Sequence, residues 1–123
     1  MAAPPVWIVE ADPVLRDTLI EILREEGFVA DAIDVDALRA RLAAQARPPV
    51  VVVAAGMHHD RVDALLTEVE RVSHPEPPRA LILWTVPRGE ALAKRRRLAS
   101  LRMPFAIDEL LTAVRALCGD AGP

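Results

Sequence analysis

Four consecutive valines, Val50 to Val53, constrain this chain more than any other feature. β-Branched side chains favour extended backbone, and an unbroken apolar run has no polar face to offer water. Such a strand must be covered on both sides, as in a parallel sheet clothed by helices. The flanking sequence agrees, because strand-type runs alternate with helical patterns five times along 123 residues. Parallel neighbours need crossovers of that length. The spacing predicts a doubly wound α/β domain with a five-stranded parallel sheet.

The elements read in order. "PVWIVE" is a short strand, and Asp12-Pro13 opens a helix: Asp caps the unpaired N–H groups and Pro occupies the first helical position without loss. Leu15, Leu19, Ile22 and Leu23 recur at helical spacing until Gly27 ends the helix in a left-handed cap. "FVADAI" alternates like a strand near an edge. Asp34 precedes a helix with the stripe Val35, Leu38, Leu42, which Pro48-Pro49 stops before the valine strand. A third helix carries Val62, Leu65, Leu66 and Val69, and "RALILWT" is the fourth strand. "RGEALAKRRRLA" is a short basic helix or turn, "SLRM" a brief fifth strand, and Ile107 to Cys118 a last helix burying Leu110, Leu111, Val114 and Leu117. A single domain is expected over residues 1–123, with its core at about 6–117 and short tails.

Composition bounds the rest. A hydrophobic share of 52%, mostly aliphatic, is that of a globular chain. One cysteine, Cys118, excludes an internal disulfide and fits a reducing compartment. No run is long enough to span a bilayer, and "MAAPPVW" lacks the features of a signal peptide, so a cytoplasmic location is expected. Charge is uneven: Val86 to Arg102 holds six basic residues against Glu90 alone, in a chain of net charge −3.

Four stretches in register resemble response-regulator receiver domains, the CheY-like fold. "WIVEADPVLRDTLIEILREEGF" is similar to the first strand, acidic loop and first helix. "RPPVVVVAAGM" resembles the strand that ends in the phosphoacceptor, "RALILWT" the strand ending in the switch threonine, and "LRMPFAIDELLTAVRALC" the fifth strand, Lys-Pro-Phe turn and last helix. In that family a histidine kinase passes phosphate to an Asp at the tip of the third strand, two acidic residues help hold Mg²⁺, and a Lys contacts the phosphoryl group.

The resemblance places the acidic pair on Glu10 and Ala11, the phosphoacceptor on Ala54, the Lys on Met103, the switch threonine on Thr85 and its partner aromatic on Ser100. Alanine carries no nucleophile, so no acyl phosphate can form at position 54. The resemblance therefore implies a degenerate site (Glu10, Ala11, Ala54, Thr85, Met103) with no catalysis, no cofactor and lost Mg²⁺ binding. It also leads one to expect Met103-Pro104 to be cis, and a shortened fourth helix, since Thr85 to Met103 is a few residues short.

Other features have ordinary explanations. "MHHD", Met57 to Asp60, holds imidazole and carboxylate groups suited to a transition metal, but adjacent histidines rarely face one ion, and a solvated loop is the simpler reading. Asp12 and Asp60 are explained as helix caps, and Thr85 as a β-branched strand end. Trp7, Trp84 and Cys118 are expected to pack.

The basic block meets an acidic body that would repel a phosphate backbone, so no nucleic acid is expected, nor a membrane. It suits docking to an acidic protein surface through Arg88, Lys94, Arg95, Arg96, Arg97, Ser100 and Arg102. The first expectation is a stand-alone pseudo-receiver of bacterial two-component signalling that acts by phosphorylation-independent contact. Its partner would be a histidine kinase, another signalling protein or a second copy of itself. A small-molecule sensor using the emptied pocket, lined by Ala11, Ala54 and Met103 with Thr85 and Glu10 as polar anchors, is the alternative. A phosphoacceptor at Asp12 or Asp60 comes last.

Overall fold

The structure, a computed structural model, describes residues 4–44, 50–54, 59–85 and 87–119. Five strands alternate with five helices: β1 (Val6–Val9), α1 (Pro13–Glu25), β2 (Ala30–Ala32), α2 (Val35–Ala44), β3 (Val50–Ala54), α3 (His59–Ser73), β4 (Ala80–Trp84), α4 (Pro87–Arg96), β5 (Ala99–Arg102) and α5 (Ile107–Leu117). All strand pairs are parallel and the sheet order is β2-β1-β3-β4-β5. The doubly wound sheet expected from the sequence is thus present.

The valine run behaves as its composition dictates. Val50 to Val53 are each at most 1% exposed. Val50 and Val52 pack with Leu19 and Leu23 of α1 and Leu110, Leu111 and Val114 of α5. Val51 and Val53 pack on the other face with Leu38 of α2, Leu65 and Leu66 of α3, and Leu92 of α4. Each fully buried Val or Leu contributes about 1.5–3 kcal/mol, so this double coverage is the main source of stability.

The helix boundaries follow from named groups. Asp12 Oδ1 accepts the Val14 N–H at 3.0 Å with Pro13 at the first position of α1. At the other end, Phe28 N–H donates to Leu23 O and Gly27 N–H to Arg24 O, both at 3.0 Å, with Gly27 at φ +92°. This Schellman arrangement uses the Phe28 N–H, which is why β2 starts at Ala30 rather than at Phe28. Asp34 Oδ1 accepts the Ala37 N–H at 2.8 Å and opens α2.

The basic segment, which the sequence leaves open between helix and turn, is a regular helix of ten residues, the same length as α2. It ends like α1, with Leu98 N–H donating to Ala93 O at 2.8 Å and Arg97 N–H to Lys94 O at 3.2 Å. Here the left-handed position, φ +58°, falls on Arg97 instead of glycine. Of the stripe expected on α5, Leu117 is only half-buried, because it lies in the last turn. Met103-Pro104 is cis, as expected, and so is His74-Pro75. No described helix is long and apolar enough to cross a membrane.

Candidate functional site

Open α/β sheets bind ligands beyond the carboxyl ends of their strands, where the strand order reverses. In this chain that place lies at the ends of β1 and β3. Val9 pairs with Val53, Ala54 pairs with Leu83, and Trp84 pairs with Arg102. Glu10, Ala54, Thr85 and Met103 each close or directly follow one of these strands. The fold therefore gathers at one end of the sheet the positions that the sequence marks as the degenerate site.

The chemistry available there is sparse. Glu10 is half-buried, and its Oε1 accepts the Asp12 N–H at 2.8 Å. That bond holds the carboxylate against the loop before α1. Ala11 is exposed and offers no donor atom. Asp12 carries its carboxylate on the α1 N-terminus, in the capping role expected. Thr85 is exposed. Met103 is half-buried against the cluster that includes Leu81, Leu83 and Leu110, and its N–H donates to Trp84 O at 2.7 Å. Its thioether thus extends the apolar layer under α5.

Met57 and His58 of the "MHHD" stretch lie outside the described residues; His59 and Asp60 form the start of α3. Among the described residues no cluster of three His, Cys, Asp or Glu side chains could hold a metal ion. Among the described residues, a groove of about 560 Å³ lies between α1 and the β2 edge and one of about 200 Å³ beside Pro5, Phe28 and Val29. Neither is lined by Glu10, Ala11, Ala54, Thr85 or Met103.

The basic segment separates into two groups. Arg96 has a side chain only 18% exposed and reaches back onto α3: its Nε lies 3.2 Å from Asp63 Oδ1, its Nη1 2.9 Å from Glu70 Oε1, and its Nη2 3.2 Å from both Thr67 Oγ1 and Asp63 O. Arg96, expected from sequence as a docking residue, therefore clamps α4 to α3 and has little side-chain surface left to offer a partner. Arg95 shares Asp63 at 3.3 Å, and Lys94 pairs with Glu90 at 3.4 Å.

Arg88, Arg97 and Arg102 make no ion pair among the described residues, and all three are exposed, as are Ala99 and Ser100. The Arg102 guanidinium lies over the Trp84 ring, 5.9 Å from its centre, and Arg41 lies over Trp7 at 4.7 Å. The α3 partners of Arg96 were missed in the sequence. Their signal was there: Asp63, Thr67 and Glu70 share one helical face by their spacing of four and seven.

No family model matches the sequence, and no curated protein does. Solved structures do match. A response regulator receiver protein from Burkholderia phymatum is 24% identical, with a TM-score of 0.75 and 98% of each chain covered. Full-length FixJ from B. japonicum is 21% identical, with a TM-score of 0.79; all of this chain spans 61% of that one. The receiver domain of the sensor histidine kinase PA1611 from Pseudomonas aeruginosa, solved with a magnesium ion in its active site cleft, is 16% identical, with a TM-score of 0.77 and coverage of 96% and 99%. The chain has the fold of response-regulator receiver domains.

Proposed function

We propose that this chain is a pseudo-receiver: an interaction module of bacterial two-component signalling that works without phosphoryl transfer. The observation that carries the reading is Ala54 at the carboxyl end of β3, in register with Leu83, where phosphorylation on this fold would need a carboxylate. A methyl group can neither attack a phosphoryl donor nor ligate a cation.

The neighbouring positions support the same reading. Mg²⁺ asks for several hard oxygen donors in near-octahedral array. Here Ala11 and Ala54 supply none, and the one remaining carboxylate, Glu10, already accepts a backbone N–H. The residues present do not fit the ion. Met103 in place of a lysine is consistent with this, since a half-buried ammonium without a carboxylate would be unfavourable.

The output of such a module is contact. Arg88, Arg97 and Arg102, with Lys94 and Arg95 beside them, form the docking face for a histidine kinase or another signalling protein with an acidic surface. Two experiments test the reading. Intact mass after incubation with acetyl phosphate and Mg²⁺ should be unchanged, and a gain of one phosphoryl group overturns it. Capture of the native partner should be lost when Arg88, Arg97 and Arg102 are changed to Glu. Capture that survives both those changes and high salt places the interface elsewhere.

A further inference from the structure

The two edges of the sheet are finished differently. In a parallel pair only alternate residues bond the neighbouring strand, so the others turn their N–H and C=O groups outward. On β2, Val29 O accepts from Val6 N–H at 2.8 Å and Ile33 N–H donates to Ile8 O at 3.1 Å, which turns Ala30 and Ala32 outward. Two of their four outward groups are occupied. Arg24 Nε donates to Ala30 O at 2.8 Å, and Asp31 Oδ1 accepts the Ala32 N–H at 2.9 Å. An Arg24–Asp31 ion pair at 3.6 Å ties the two guards together.

On β5 the same parity applies. Met103 N–H donates to Trp84 O and Leu101 pairs with Leu83, so Ser100 and Arg102 turn outward. Among the described residues no strand lies beyond β5, and no side chain bonds the backbone of Ser100 or Arg102. The strand has an unbroken register, no proline, and exposed small residues at Ala99 and Ser100. Of the devices that blunt native edges, β5 has a short length and a terminal charge, Arg102, but no proline, bulge or side-chain guard on its outward backbone groups.

We propose that the β5 edge is a docking slot for an extended acidic segment of a partner protein, which joins the sheet as a sixth strand. The proposal rests on the reading of the chain as a binding module and specifies how it binds. Charge selects the occupant. Arg97 and Arg102 bracket β5, roughly 16 Å apart at the rise of an extended chain, and neither has an ion pair among the described residues. Backbone bonding supplies affinity in strand addition, while side chains at alternate positions supply selectivity. An acidic strand meets both requirements.

A second copy of the chain fits less well. Antiparallel pairing of β5 with itself about a two-fold axis sets each α4 beside its mate, because α4 packs over β4 and β5. Arg97 and Arg102 of one copy would then lie along the same cationic edge of the other, and like charges disfavour such a contact.

The test uses a labelled peptide of alternating Glu and Val, read by fluorescence anisotropy and amide hydrogen exchange. The peptide should bind at least about tenfold more tightly than its Lys-for-Glu counterpart, and N-methylation of its backbone should weaken it by about tenfold or more. Exchange should slow at Ser100 and Arg102 and stay unchanged at Ala30 and Ala32. Ser100→Pro, which removes an outward N–H, should abolish binding. Because that variant also stresses the strand, the N-methylated peptide decides on the unaltered protein.

Undiminished binding of the methylated peptide overturns strand addition yet leaves charge-based docking intact, so it separates this inference from the functional reading. No binding of the acidic peptide, or protection confined to other elements, also overturns the inference. A concentration-dependent dimer that protects Ser100 and Arg102 replaces the acidic partner with a second copy.

Discussion

Arg96 Nη1 of α4 lies 2.9 Å from Glu70 Oε1 of α3, and the same guanidinium also holds Asp63 and Thr67. One side chain thus closes the seam between two helices. Exposed ion pairs contribute about 0–1 kcal/mol, whereas breaking a fully buried one costs about 3–5 kcal/mol. With Arg96 largely covered and its partners partly exposed, Arg96→Ala should cost about 1–2 kcal/mol, between those limits. Arg95→Ala, which gives up one exposed contact at 3.3 Å, should cost under about 0.5 kcal/mol. Urea unfolding of both variants checks the contrast, and equal losses would remove the clamp.

Arg97 sits at φ +58°, where glycine meets no steric penalty and an L side chain does. The helix-ending bonds of Arg97 and Leu98 N–H are ones glycine would make equally well, and the Arg97 side chain has no ion pair or hydrogen bond among the described residues to set against the strain. Arg97→Gly should therefore raise stability by about 1 kcal/mol, partly reduced by the greater freedom of glycine in the unfolded chain. Thermal unfolding measures it. A loss of stability would mean that the Arg97 side chain makes a contact that outweighs the strain.

The apolar period made the fold legible. The valine run fixed a doubly covered central strand, and the helical stripes through Leu65, Leu66 and Leu110 predicted which faces are buried. That Glu10, Ala54, Thr85 and Met103 meet at one end of the sheet was legible because strand ends are ordered along the chain, while the role expected of those positions came from the resemblance. Arg96 was not. A run of four basic residues gives no sign of which member turns inward, because the acidic partners sit on another helix. The guards on β2 were hidden for the same reason: Arg24 reads as a helix-terminal cation until the strand it caps is beside it.

Met103 and Ala54 end strands separated by β4, so their backbones lie roughly 10 Å apart across the sheet. A lysine at 103 would reach towards position 54 and find no anion. Met103→Lys alone should cost about 1 kcal/mol, since half of the side chain leaves an apolar cluster while its stem can still pack. Adding Ala54→Asp should recover part of that loss, with a favourable coupling of about 0.5–3 kcal/mol in a double-mutant cycle. Additive effects would show that the two positions do not form one site.

The guarded edge of β2 makes a prediction opposite in sense to the open edge of β5. Arg24 and Asp31 occupy the outward Ala30 O and Ala32 N–H, and Val29 just before them is 65% exposed. Freeing those groups beside an exposed apolar side chain creates the template that edge strands use to pair with other chains. The double variant Arg24→Ala, Asp31→Ala should therefore self-associate with rising concentration, while Glu21→Ala on the same helix should leave the protein as it was. Light scattering across a concentration series reads the difference. Each guard should also matter separately, because removing either one exposes a different backbone group. If the double variant keeps the mass of the unaltered protein at every concentration, the side chains are not what keeps this edge closed, and the contrast drawn between the two edges loses its physical basis.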